Sequence, residues 1–192
     1  MQVGCVILAA GNAARFGENK LLALWQGKPL IQWTLDAVPA ALSPVAVVTR
    51  FPAVEALAAA RGLVTLPNER PELGISHSVA LGTAALAERC AGILFLAADQ
   101  PCLRPETLAA LAERFRAEPD RIVAAAAGER RGNPAVFPAS LFPALQALRG
   151  DRGGMQLIRR FPELVVGLPV DPAELADVDT AADLRRLPEK IR

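Results

Sequence analysis

The sequence of 192 residues is poor in aromatic side chains, histidine and net charge. Aromatic residues make up 5% and tyrosine is absent, so it lacks the stacking surface with which proteins hold single-stranded nucleic acid. The formal net charge of +1 gives no broad basic field for a nucleic acid. A single histidine, His77, argues against a histidine-rich zinc centre. We therefore expect neither a nucleic-acid partner nor zinc catalysis.

Cysteine and long apolar runs are also scarce. Cys5, Cys90 and Cys102 are odd in number and far apart, which fits neither a disulfide framework nor a CxxC metal site. No apolar run approaches the roughly 18 residues of a membrane helix. The N-terminal Met1-Gln2-Val3 has no positively charged region, so no cleaved signal peptide is expected. These features predict a cytoplasmic protein with reduced thiols and no membrane partner.

Apolar residues are abundant, at 52% against 21% charged, which is typical of a folded globular chain. Short continuous apolar runs predict strands that are covered on both faces. These runs are Val3–Ala9, Val45–Thr49, Leu63–Leu66, Ile93–Ala98 and Ile122–Ala126. Helical patterns separate them, at Pro29–Ala41, Pro52–Arg61, Ile75–Cys90 and Pro105–Ala117.

Beyond residue 127 the pattern is looser. We predict a polar turn at Gly128–Asn133, then strands Ala135–Phe137 and Leu164–Leu168, and helices Leu141–Leu148, Met155–Arg160 and Ala181–Leu187. The alternation of strands and helices predicts an α/β fold, a Rossmann-like three-layer αβα arrangement around a mainly parallel twisted sheet. With no linker or repeat, residues 1–192 are expected to form a single domain.

The first strand is followed by the segment LAAGNAARFGENK, from Leu8 to Lys20. Its glycines permit close backbone approach, and Arg15 and Lys20 add positive charge. The spacing of Gly11 and Gly17 does not fit a Walker A motif, and Ala13 breaks a dinucleotide fingerprint. The segment is either an anion-binding loop of another kind or a flexible turn with solvated cations.

Two carboxylates lie next to predicted elements: Asp99 follows a strand, and Asp179 precedes the last helix. Asp99 directly follows the buried run Leu94–Ala98. It either caps the next turn or binds a hard cation such as Mg²⁺, which proteins hold with one or two carboxylates and substrate phosphates. Asp179 either caps the last helix or supplies a second carboxylate to that cation.

Three further polar segments have two readings each. Asn133, in Gly132-Asn133-Pro134, either forms a turn or orients a ligand with its amide. Ser76, in the segment Gly74–Ser78, either caps the following helix or helps the helix N-terminus to attract a polar or anionic group. The segment Gly150–Gly154 either closes over a substrate or is only a turn.

Five segments in this order resemble the molybdenum-cofactor nucleotidyltransferases, the MobA/MocA-like NTP transferases, above all the branch that transfers CMP to molybdopterin. They are LAAGNAARFGENKLL, GISHS, LAADQP, GNPAVF and DVDTAADL. The resemblance covers about residues 3–187. The wider superfamily includes sugar-phosphate nucleotidyltransferases, in which an arginine also follows the LAAG glycine at the spacing of Gly11 and Arg15.

The resemblance implies the following roles. Arg15, Lys20 and Asp99 would be catalytic, with Arg15 near the β- and γ-phosphates and Lys20 near the α-phosphate. The nucleotide would be bound by Leu8, Ala9, Ala10, Gly11, Asn12, Gly17, Gly74, Ser76 and Ser78. Gln100, Asn133, Gly153 and Gly154 would lie on the acceptor side. Asp99, with Asp179 as a less certain second ligand, would hold Mg²⁺ or Mn²⁺.

Specific positions refine the expected substrates. Family members that use GTP tend to carry LAGG where this chain has Ala10, so the resemblance favours CTP over GTP. Phe16 stands where methionine is usual, which is a tolerable apolar exchange. Met155 follows Gly153-Gly154 where the family often has arginine, so one cation expected near the acceptor is missing here.

The resemblance thus implies Mg²⁺-dependent transfer of CMP from CTP to the terminal phosphate of molybdopterin, with release of pyrophosphate, by a monomer or weak dimer. One alternative is a transferase with a sugar- or alditol-phosphate acceptor. Another is a non-catalytic cofactor chaperone that partners a molybdenum hydroxylase apoprotein. A flavin- or NAD-linked reductase is disfavoured because GxGxxG is missing.

Overall fold

The computed structural model describes residues 1–11, 19–128 and 130–188. Its main sheet has the strand order β5-β4-β1-β6-β8-β7-β9. The strands are β1 Val3–Ala9, β4 Val45–Thr49, β5 Val64–Pro67, β6 Gly92–Ala97, β7 Ile122–Ala127, β8 Arg130–Pro138 and β9 Val165–Pro169, and β2 Leu24–Trp25 and β3 Lys28–Pro29 pair separately as a small hairpin. Within the main sheet, β8 is antiparallel to β6 and β7, and the other pairings are parallel. The mainly parallel sheet is confirmed.

Helices cover both faces of this sheet. They are α1 Leu30–Ala37, α2 Pro52–Ala59, α3 Ile75–Leu86, α4 Pro105–Ala117, α5 Phe142–Gln146, α6 Met155–Arg160 and α7 Ala181–Arg186. Alternate residues of β1 enter different cores: Ile7 packs with α1, α2 and α4 on one face, and Val6 packs with α3 and α5 on the other. This two-sided burial explains the continuous apolar runs, and it confirms the three-layer α/β architecture.

The three cysteines are buried and free, as expected. Burial raises the pKa of Cys5 to about 12 and that of Cys102 to about 11, and it also raises that of Cys90. The thiols therefore remain protonated and act as small apolar groups in the cores. Within the described ranges, no helix has the length and apolar character needed to span a membrane.

One predicted element is wrong. Most of the polar turn expected at Gly128–Asn133 belongs to β8, which pairs with β7 from Ala127 opposite Arg130 to Ala125 opposite Gly132. In the hairpin of β7 and β8, Arg131 is exposed and Gly132 and Asn133 are half-buried, so this stretch lacks the apolar run by which buried strands are recognised. Helix α3 also ends at Leu86, before the predicted Cys90.

A buried carboxylate joins the C-terminal segment to α4. Glu174 is 4% exposed, and its Oε1 accepts hydrogen bonds from Arg104 Nε at 2.9 Å and Nη2 at 2.5 Å. Its Oε2 accepts from the Arg104 backbone N–H at 3.1 Å, at the N-cap position of α4. Glu174 therefore fixes the start of the segment that carries Asp177 and Asp179.

Replacing Glu174 with alanine is expected to lower the free energy of unfolding by about 2–3 kcal/mol, because charge-assisted hydrogen bonds are lost at a buried site. Chemical denaturation measures this change. Glu72→Ala is the matched control, since Glu72 makes a 3.6 Å ion pair with Arg70 in which both side chains are about two-thirds exposed, at 66% and 65%. Equal losses of stability in the two variants would contradict this role of Glu174.

Candidate active site

Asp99 lies at the carboxyl edge of the sheet, just beyond β6, which is the central strand. The backbone N–H of Val178 donates to the carbonyl of Asp99 at 3.0 Å, and Gln100 Nε2 donates to Asp177 Oδ1 at 2.9 Å. These two bonds hold the segment of residues 177–179 against the loop after β6. They bring Asp179 to Asp99 although the two are far apart in sequence.

Lys20 lies between the two carboxylates. Its Nζ is 2.6 Å from Asp99 Oδ2 and 2.9 Å from Asp179 Oδ1. The Lys20 side chain is 14% exposed, that of Asp99 21% and that of Asp179 60%. Burial lowers the pKa of Lys20, but the charges and hydrogen bonds of Asp99 and then Asp179 outweigh burial and raise it overall. Lys20 is therefore a cation throughout the neutral pH range.

Local structure sets the position of Lys20. It begins a short 3-10 helix, Lys20–Leu22, whose N-cap is Asn19. The Asn19 side chain accepts from the backbone N–H of Leu21 at 3.1 Å. The predicted residues Asn12, Arg15 and Gly17 lie outside the described residues, so their roles remain predictions.

The helix-capping interpretation of Asp179 is wrong. Thr180 is the N-cap of α7: its hydroxyl accepts from the Asp183 backbone N–H at 3.2 Å, and Asp183 Oδ2 accepts from the Thr180 backbone N–H at 2.8 Å. This reciprocal pair is a capping box. The carboxylate of Asp179 is thus available to face Lys20 and Asp99.

The carboxylate pair fits a hard divalent cation. The ammonium of Lys20 already occupies the space between Asp99 and Asp179 as a stand-in cation, and carboxylate oxygens are the donors that Mg²⁺ and Mn²⁺ prefer. Within the described ranges, no group of three or more potential metal ligands comes together. Two carboxylates completed by phosphate oxygens and water are a usual set for such a site.

A cavity of about 890 Å³ opens beside these carboxylates. The sequence-predicted residues that line it are Leu8, Asp99, Gln100, Asn133, Gly153, Gly154 and Asp179. Apolar side chains from four elements form much of its wall, among them Val79, Phe95, Phe137 and Ile158. The volume falls in the range of small-molecule sites.

Other predicted nucleotide contacts lie away from this cavity wall. Ala9 and Ala10 are buried at the end of β1, and Gly11 has open space where a side chain would be. Ser78 is buried, and its hydroxyl accepts from Asn68 Nδ2 at 2.9 Å. Ser76 is not the N-cap of α3: that position is Gly74, while the Ser76 hydroxyl donates to the Leu73 carbonyl at 3.2 Å.

Gly74 packs directly against the segment Gly150–Gly154. A Cβ at Gly74 would lie 2.5 Å from the Gly150 carbonyl carbon and 2.6 Å from Asp151 Oδ1. Its backbone has φ +80° and ψ −175°, a region that is open almost only to glycine. The Ser76 backbone N–H also donates to the Gly150 carbonyl at 3.2 Å. Gly74 therefore allows this loop to dock on the start of α3.

Gly74→Ala is expected to lower the free energy of unfolding by about 3 kcal/mol, because the backbone strain and the steric clash add. Gly62→Ala is the matched control: Gly62 has φ +70° but nothing within 4 Å of the added Cβ, so about 1 kcal/mol is expected. Thermal and chemical denaturation of both variants checks the difference. If the two lost the same stability, the loop would not be docked on Gly74.

The Asn133 side chain stabilises the end of β6. With its nitrogen donating to the Phe95 carbonyl at 2.7 Å and its oxygen accepting from the Ala97 N–H at 2.8 Å, the amide replaces backbone pairing beyond Ala135. The opposite orientation would gain a 3.2 Å bond to Gln100 Oε1 but would set like groups together at both backbone contacts. Asn133 thus lines the cavity and also holds the strand that presents Asp99.

Sequence reasoning did not assign four charged residues of the cavity, Asp151, Asp177, Arg131 and Arg159. Arg159 follows Met155 by four positions on α6, so the two share a face of the helix. Arg159 thus supplies a cation one helical turn beyond position 155, where the resemblance led us to expect one. The four-residue spacing from Met155 could have identified Arg159 in the sequence. Arg131 could be identified only once the register of β7 and β8 was known.

The fold and the site define a nucleotidyltransferase, with a mainly parallel α/β sheet and a carboxylate–lysine cluster at the centre of its carboxyl edge. Residues 5–165 match the model of the MobA-like NTP transferase domain, and the chain belongs to this family.

Three relatives illustrate the similarity. A probable molybdenum cofactor guanylyltransferase of Bacillus licheniformis is 33% identical over 134 residues, which are 69% of this chain and 66% of that protein. The purine catabolism protein PucB of Bacillus subtilis is 30% identical over 91% of this chain and 90% of its own. The crystal structure of Rv0371c from Mycobacterium tuberculosis H37Rv is 28% identical with a TM-score of 0.83, covering 99% of this chain and 100% of that one. Rv0371c has also been solved as a complex with manganese, with a TM-score of 0.79 over 97% and 98% of the two chains.

Proposed function

We propose that this enzyme transfers CMP from CTP to the terminal phosphate of molybdopterin and releases pyrophosphate. The observation that carries the proposal is the cluster of Asp99, Lys20 and Asp179, which borders a cavity large enough for an organic acceptor. The probable guanylyltransferase of Bacillus licheniformis supports a molybdenum-cofactor substrate, and it makes GTP the competing nucleotide.

The sheet order suggests how the two substrates are arranged. The chain reaches Lys20 after β1, which lies on the same side of β6 as β4 and β5, whereas the cavity lies largely over β6, β8 and α6. Asp99 follows β6, between these two halves. Ligands of open α/β sheets bind outside the carboxyl ends of the strands. We therefore place the triphosphate on the β1 side, the acceptor on the β8 side, and the reacting phosphates at Asp99.

In the reaction, an oxygen of the acceptor phosphate forms a bond to the α-phosphorus of the triphosphate. The bond from that phosphorus to the bridging oxygen of the β-phosphate breaks, and pyrophosphate leaves with the electron pair. A phosphate monoester is ionised near neutral pH, so the nucleophile requires no general base. This agrees with a site of carboxylates and cations, in which catalysis rests on positioning and charge neutralisation.

Lys20 is the described cation best placed for the α-phosphate. When phosphates bind, its ammonium can leave the carboxylates and donate to the charge that develops on the transferred group. Asp99 and Asp179 would then hold a divalent ion, Mg²⁺ by preference, which supplies charge neutralisation at the phosphates. Arg15 is proposed to contact the β- and γ-phosphates.

The choice of CTP rests on Ala10. This residue is 7% exposed at the exit of β1, so its methyl group fills volume that a glycine would leave open. Family members that use GTP tend to carry LAGG with a glycine at this position, and we therefore favour CTP.

The proposal is tested by measuring metal-dependent release of pyrophosphate from each of the four nucleoside triphosphates with molybdopterin, with a sugar phosphate and without any acceptor. We expect release with CTP, only when molybdopterin is present. Release with GTP instead would overturn the base assignment. Release only with a sugar phosphate would overturn the assignment of the acceptor. Binding of molybdopterin without release of pyrophosphate from any triphosphate would identify a chaperone.

A further inference from the structure

We propose that Arg131 and Arg159 form an anion subsite that binds a negatively charged group of the acceptor other than the phosphate undergoing transfer. This inference rests on the proposed function, since it concerns the acceptor of the same reaction. Arg131 and Arg159 would then determine the specificity for the acceptor, on the side of the cavity away from the segment between β1 and Lys20.

The two arginines come from neighbouring elements at the carboxyl edge of the sheet. Arg131 lies near the start of β8, opposite Ala126 near the end of β7. Arg159 lies in the last turn of α6, which packs against β8. Both line the cavity that Asp99 and Asp179 also line. Since β8 lies on the opposite side of β6 from β1, these cations face the acceptor half of the site.

Charged groups of both signs line the cavity. Asp99 and Asp179 lie beside Lys20, and Asp151 lies in the loop before α6, whereas Arg131 and Arg159 contribute guanidinium groups from β8 and α6. Among the residues that the structure describes, no ion pair joins a carboxylate to Arg131 or Arg159. Arginine in a partly apolar cavity is well suited to bind an anion through its fork of N–H donors.

Apolar side chains, among them Phe95, Phe137 and Met155, also line the cavity. Two glycines allow this wall to pack closely: a Cβ at Gly154 would lie 2.6 Å from the Phe137 ring, and one at Gly132 would lie 3.0 Å from Met155 Sδ. Such a site fits a ligand that carries a phosphate and a second anionic group and packs a ring against apolar side chains. Molybdopterin has this chemistry, because its pyran ring bears both the phosphomethyl group and an ene-dithiolate.

The test measures the dissociation constants of molybdopterin and of CTP, the latter with Mg²⁺, for Arg159→Gln and Arg131→Gln. The matched control is Arg160→Gln, because Arg160 is the next residue of α6, stacks on Phe161 at 5.2 Å and is not part of the cavity wall. We expect the dissociation constant of molybdopterin to rise roughly 10-fold in each cavity variant. That of CTP should stay within about twofold in all three variants.

A second ligand tests the charge itself. Molybdopterin alkylated on both sulfurs keeps its phosphate but loses the thiolate charge, so wild type and Arg159→Gln should bind it equally. Unchanged binding of molybdopterin by the cavity variants, or a rise in the dissociation constant of CTP instead, would overturn the subsite. If the wild type did not bind molybdopterin at all, the proposed function and the subsite would both be overturned, whereas the two outcomes above overturn the subsite alone.

Discussion

Replacing Asp99 with asparagine is expected to reduce nucleotidyl transfer by about 10²–10³-fold, the usual cost of removing one charged group that stabilises a phosphate transition state. Asparagine keeps the shape of the side chain, but it cannot neutralise Lys20 or hold a divalent cation with a full negative charge. Steady-state rates of pyrophosphate release, with saturating nucleotide and acceptor, measure the loss.

Asp36→Asn is the matched control for this variant. Asp36 also lies between two cations, Lys28 at 2.6 Å and Arg61 at 2.8 Å, but on the outside of α1 and not on the cavity wall. Its replacement should leave the rate within about twofold, as expected for a surface pair. A folded Asp99→Asn variant with the wild-type rate would contradict the assignment of the site.

Replacing Lys20 with methionine is expected to change rate and metal affinity in opposite directions. Transfer should fall by about 10²–10³-fold, because a cation near the α-phosphate is lost. Binding of Mn²⁺ without nucleotide should become about 3- to 10-fold tighter, because the ammonium no longer competes for Asp99 and Asp179. Titration of free Mn²⁺ by electron paramagnetic resonance measures the affinity independently of turnover.

Lys28→Met serves as the control for the Lys20 variant. Lys28 is likewise paired with a carboxylate at 2.6 Å, but that carboxylate belongs to Asp36, so neither rate nor Mn²⁺ affinity should change. Weaker binding of Mn²⁺ by Lys20→Met would show that Lys20 organises the carboxylates and does not compete with a metal.

The elements with two-sided burial could be predicted from sequence. The sequence predicts strands β1 and β4 with the bounds that the structure has, because strands covered on both faces form nearly continuous apolar runs. Asp99 was found for the same reason, as the first carboxylate after such a strand. Helix α4 was found from Pro105 in its first turn.

The parts that depend on tertiary contacts could not be read from sequence. Capping remained an open alternative for Asp179, because a carboxylate before a helix has that local role. Two long-range hydrogen bonds, from Val178 to Asp99 and from Gln100 to Asp177, bring Asp179 to Lys20. The hydroxyls of Ser76 and Ser78 are used by Leu73 and Asn68, which no local pattern shows. Arg131 could not be recognised as a β8 residue, because the stretch that contains it is predicted to be a turn.

The central claim is that the nucleotide is transferred to molybdopterin at the carboxylate–lysine cluster. Incubating the enzyme with Mg²⁺, molybdopterin and CTP labelled at the α-phosphate, and then separating the products, tests it most directly. We predict that the label appears on molybdopterin in an amount equal to the pyrophosphate released. Labelling of molybdopterin should be lost in Asp99→Asn but not in Asp36→Asn. Label found only in free CMP, or equal transfer by both variants, would contradict it.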